Sequence, residues 1–60
     1  MKRSTVMTEI RLCGYNGDTQ KAALLAARHG IGNVASRKAY LAGQRLKELG
    51  EPKPEVIRVK

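Results

Sequence analysis

Cys13 is the only cysteine and His29 the only histidine in a chain of 60 residues. Together they remove the two usual staples of a small domain. No internal disulfide can close, and no four-ligand cysteine/histidine zinc site can be assembled. A chain this short buries only a modest share of its unfolded surface, so a solitary core is marginal. Oligomerisation is the remaining device, and a homodimer is expected.

Charge narrows the partners. Twelve Lys and Arg against five Asp and Glu leave a net charge of +7. Such an excess points to nucleic acid, an anionic membrane surface or an acidic protein. No apolar run approaches the roughly 18 residues that span a bilayer. The N-terminal MKRSTVMTEIRL has a basic start but lacks the apolar segment and small-residue cleavage site of a signal peptide. A cytoplasmic location is expected, in keeping with an unpaired cysteine.

Along the chain, TVMTEIRLCG alternates from Thr5 onward. Val6, Thr8, Ile10 and Leu12 fall on one side, and Met7, Glu9, Arg11 and Cys13 on the other. Period-two alternation with β-branched residues reads as a half-buried strand, ended by Gly14, Asn16 and Gly17. Asp18 or Thr19 is expected to be the N-cap of the helix that follows. Gln20 to His29 contains strong helix formers, and Gly30 stands where a left-handed residue ends a helix. Asn33 then caps a second helix, Val34 to Leu49, closed by Gly50 with Pro52 beyond. Ala35, Ala39, Ala42, Leu46 and Leu49 form its apolar seam. In the tail EPKPEVIRVK, two prolines make a stiff spacer, and VIRVK has the composition of a strand. The expected fold is therefore α+β, in β-α-α-β order. Residues 1–51 form a small basic strand-helix-helix domain, and 52–60 a proline-containing tail with a possible strand.

The stretch HGIGNVASRK joins the two helices. The start of a helix exposes unpaired amides and the positive end of its dipole, a natural site for phosphate. The second helix opens with Val34, Ala35, Ser36 and Arg37, followed by Lys38, and no carboxylate complements the dipole there. Cations in that position disfavour folding by about 0.3–1 kcal/mol each, and an incoming phosphate reverses the sign. The amides, the Ser36 hydroxyl, the Arg37 fork and the Lys38 ammonium are all suited to converge on one anion.

Catalysis finds no support in the sequence. Cys13 and His29 have no third group to orient them, and the five carboxylates form no paired arrangement. Gly30-Ile31-Gly32 lacks both the Walker lysine and the full dinucleotide fingerprint. Neither a cofactor nor a metal is expected. For nucleic acid the ingredients are better: Lys21 and Arg28 lie seven residues apart on the first predicted helix, and Lys38 and Arg45 repeat the interval on the second. Two tyrosines alone make no stacking platform for a single strand. Duplex DNA or structured RNA is the expected ligand class.

The segments TEIRLCG, QKAALLAARHG and NVASRKAYLAGQRLKEL resemble, in order and pattern, the ribbon-helix-helix family of DNA-binding proteins. That resemblance implies an intertwined dimer whose first strands pair into a ribbon entering the major groove, with a phosphate clamp at the start of the second helix. By position, Glu9, Arg11 and Cys13 would face DNA, while Asn33, Val34 and Ser36 would lie at the clamp. The family's proline after the strand is absent, and Cys13 to Gly17 lengthens that connection. The implied role is a double-stranded DNA-binding transcriptional, plasmid or phage regulator. Lys21, Arg28, Arg37, Lys38 and Arg45 would contact phosphate, and Glu9 and Arg11 would read bases. A second segment, KAYLAGQRLKELGEP, resembles part of the ribosome modulation factors and implies ribosome binding, although that family's second, aromatic-rich helix is missing. A third class is a small inhibitor or adaptor that covers an acidic protein surface.

Overall fold

The computed structural model describes residues 2–54, which form three helices: α1 (Arg3–Asn16), α2 (Thr19–Arg28) and α3 (Asn33–Glu48). There is no strand among these residues, so the β-α-α-β expectation is corrected to an all-helical fold. The correction falls on TVMTEIRLCG, which is helical throughout. Its apolar residues satisfy a helical interval as well as an alternating one. Val6, Ile10 and Cys13 lie four and three residues apart and are all buried, with Met7 packed against them. Leu12, placed with the core by alternation, is only half-buried. The polar Thr8 is accommodated by donating its hydroxyl to the Ser4 carbonyl at 2.9 Å, one turn back.

Gly14, expected to end a strand, sits inside α1 because α3 crosses there. A Cβ at Gly14 would overlap the Tyr40 carbonyl, and one at Gly43 would overlap the Arg11 carbonyl. Glycine in a helix interior costs roughly 1 kcal/mol relative to alanine. Here it allows two backbones to meet, and α1 and α3 share the most extensive contact of the fold. Close approach of this kind supplies dispersion contacts where large side chains are few.

The core is small. Val6, Ile10, Cys13, Ala22, Ala26, Ile31 and Ala39 make it, with Met7, Leu25, Ala35 and Tyr40 packed on its edge. On α3 the expected seam is partly displaced: Ala39 and Gly43 are buried and Ala35 and Leu46 half-buried, but Ala42 and Leu49 face outward. The reason is the Gly43 crossing, which rotates the buried face of α3 toward Ala39–Gly43 and away from Ala42.

The helix ends follow local chemistry. Asp18 caps α2, its carboxylate accepting from the Lys21 amide at 3.2 Å. Gly17, Gly30 and Gly50 all have positive φ, and the amide after each bonds back to a carbonyl five residues earlier: Asp18 to Cys13, Ile31 to Ala26, Glu51 to Leu46. Tyr15, left open by the sequence between packing and ligand contact, is half-buried, and its hydroxyl donates to the Glu51 carbonyl at 2.9 Å. This bond ties the end of α1 to the exit of α3. Tyr15→Phe should lower the unfolding free energy by about 0.5–1.5 kcal/mol, measured by urea titration; an unchanged midpoint would remove the tie. The chain then runs without regular structure from Glu51 to Pro54, and the expected VIRVK strand lies outside the described residues.

Candidate functional site

The expected base-reading face of a ribbon is absent, because its residues lie on helix α1. Glu9 and Arg11 are half-buried, and the Arg11 Nε is buried with no hydrogen-bond partner among the described residues. Cys13, placed toward DNA by the family pattern, is in the core at 5% exposure. Burial pushes its thiol above the ordinary value, with Lys21 opposing and Asp18 and Glu9 adding to the rise. A proton held more tightly in the folded state means that stability is full below the ordinary thiol pKa and is lost as pH climbs through the raised one. Denaturation midpoints followed from about pH 8 to about pH 10 should fall. Cys13→Ala should flatten that fall, and an equal slope in both proteins would reject the assignment.

The connection between α2 and α3 is arranged differently from the sequence expectation. Gly32, with extended backbone, is the N-cap of α3 and carries no capping side chain; Asn33 is the first helical residue. The Ser36 hydroxyl donates to the Asn33 carbonyl at 3.1 Å and so does not point its proton at an external anion. Arg37 and Lys38 follow the first turn of α3 rather than complete it, which weakens the dipole penalty assigned to them. Both are exposed.

Asn33, Ser36 and Arg37 nevertheless come together on one feature. They line one wall of an open groove of about 500 Å³ between α2 and α3, with Tyr40 on the same wall. The opposite wall consists of Thr19 and the alanines 22, 23, 26 and 27. Sequence reasoning missed Tyr40, Ala23 and Ala27 as lining residues. The available signal was the run of alanines on successive turns of α2, which leaves a flat surface beside α3.

The remaining cations lie on the outside. Lys21 and Arg28 are exposed on α2, and Lys38 and Arg45 on α3. Each pair is roughly 10 Å apart along its helix axis, from a rise of 1.5 Å per residue. A leucine lies three residues after the lysine in both helices: Leu24 is 63% exposed and Leu41 49%. Arg28 and Arg45 occupy last turns, where a cation also favours the helix dipole. Arg37 and Lys38 have no such folding reason.

Among the described residues, no group of three or more His, Cys, Asp and Glu side chains is placed to hold a metal ion. No helix there is long and apolar enough to cross a membrane. Comparison with protein-family models, with curated proteins and with solved structures gives no match.

Proposed function

We propose that this protein binds the phosphate backbone of double-stranded or otherwise structured nucleic acid through the outer faces of α2 and α3. The observation that carries this reading is the exposure of Lys21, Arg28, Arg37, Lys38 and Arg45 in a chain of net charge +7. Cations of this kind release counterions from a phosphate backbone and bind with little regard to sequence. With the ribbon gone, Glu9 and Arg11 have no element that carries them into a groove, so backbone contact rather than base reading is the expected mode. The test is a salt series on several unrelated DNA and RNA duplexes. Affinity should fall steeply and similarly for all of them as salt rises. Affinity indifferent to salt, or no binding to any duplex, would defeat the reading. A homodimer belongs to the same proposal, and sedimentation at high micromolar concentration decides it by mass.

A second reading, an acidic protein partner, is favoured by Leu24 and Leu41, each exposed between a lysine and an arginine. An apolar anchor inside a charged rim suits a protein interface. Such a complex should outlast salt concentrations that strip the chain from nucleic acid.

A further inference from the structure

Apart from Arg37, which backbone binding shares, the groove between α2 and α3 presents groups that backbone binding does not use. Its α2 wall presents methyl groups from Ala23 and Ala27, both on exposed positions, so the wall is flat and apolar. Its α3 wall holds the half-buried Tyr40, which belongs also to the edge of the core. Asn33, with an amide able both to donate and to accept, and Arg37, a fork matched to phosphate, lie on that same wall. Its volume, about 500 Å³, is within the range of small-ligand sites.

We propose that this groove receives one unpaired nucleotide presented by a bulge in duplex RNA. The base would lie between the alanine wall and Tyr40, with its edge toward the Asn33 amide and its phosphate toward Arg37. Unpaired bases are the part of folded RNA that proteins recognise by stacking on aromatic side chains and by bonds to the base edge. One aromatic residue is too few for a single-strand platform and sufficient for one base. Charge selects the occupant: the exposed Arg37 favours an anionic ligand over a second copy of a chain carrying +7. The inference rests on the nucleic-acid reading above and adds a site to it.

The experiment compares an RNA duplex carrying a single unpaired purine with the same duplex fully paired, at fixed salt, by fluorescence anisotropy. The wild-type protein should bind the bulged RNA about tenfold more tightly, the lower part of what stacking one base contributes. Ala27→Leu and, separately, Ala23→Leu fill the groove from exposed helical positions where leucine is well tolerated. Each should abolish the preference and leave affinity for the paired duplex within about twofold, since neither substitution removes a phosphate contact. Equal affinity of the wild type for the two RNAs, or a preference that both leucine variants retain, would overturn the groove site while leaving backbone binding standing. Absence of salt-dependent binding to either RNA would overturn the groove site, and its absence on DNA duplexes as well would overturn backbone binding with it.

Discussion

Gly43→Ala is expected to abolish cooperative thermal unfolding or to lower its midpoint by well over 10 °C, about 4–8 °C for each kcal/mol in a domain of this size. The added methyl has nowhere to turn. A Cβ at that position overlaps the Arg11 carbonyl oxygen, stands 2.7 Å from the carbonyl carbon and 2.9 Å from the Tyr15 amide nitrogen. All three are backbone atoms, so no rotamer change relieves the contact and α1 must move away from α3. Overpacking of cores costs typically 1–3 kcal/mol and more where backbone must shift. The better helix preference of alanine returns only about 1 kcal/mol. A chain of 60 residues has about 3–9 kcal/mol in total, at roughly 0.05–0.15 kcal/mol per residue. Loss of the largest helix contact is therefore a large fraction of everything it has. Gly32→Ser is the control: its φ is −63°, no atom lies within 4 Å of the added carbon, and serine supplies the missing cap of α3. That variant should melt at the same temperature or higher. A Gly43→Ala protein as stable as the wild type would show that the two backbones do not meet as described.

The second large effect concerns binding. Removing both Arg37 and Lys38 by alanine should weaken affinity for unrelated duplexes by a similar factor and make the salt slope shallower by roughly one unit per lost phosphate contact. Both side chains are exposed and outside the core, so circular dichroism and melting should hardly change. Arg11→Ala behaves otherwise under the helical fold. The residue is half-buried with its Nε out of solvent, and its backbone carbonyl stands at the α1–α3 crossing, so the substitution should reduce stability and not discrimination between sequences. A double variant that binds duplexes with unchanged affinity at every salt concentration would release Arg37 and Lys38 from the interface.

Two of the three helices were legible in the sequence, to within a residue at each end. Gln20 to His29 became Thr19–Arg28, and Val34 to Leu49 became Asn33–Glu48. Local signals sufficed because each of these segments combines good helix formers with a glycine exit, and Asp18 caps the first. The first segment was illegible for a physical reason. Thr5, Val6, Thr8 and Ile10 are β-branched, and over so short a stretch the positions of Val6 and Ile10 satisfy both periods. What decides the matter is a contact far along the chain, Gly14 and Gly43 with the backbones of α3 and α1. Gly14 read as punctuation because a local rule cannot distinguish a glycine that ends an element from one that clears a path for another. The groove was half legible: Asn33, Ser36 and Arg37 were singled out from HGIGNVASRK, but Tyr40 and the alanines of α2 acquire a role only once the two helices lie side by side.

The glycine-terminated helix ends have a consequence for how the gene can be altered. Only Gly17 and Asp18 separate α1 from α2, and only residues 29–32 separate α2 from α3. Within the first joint, the left-handed Gly17 and the capping Asp18 are both already committed to closing a helix. In the second, the left-handed Gly30 closes α2 and the extended Gly32 opens α3, on either side of the buried Ile31. Neither joint contains slack. An inserted residue, a reporter loop or a permuted terminus placed there would break a helix end rather than lengthen a linker.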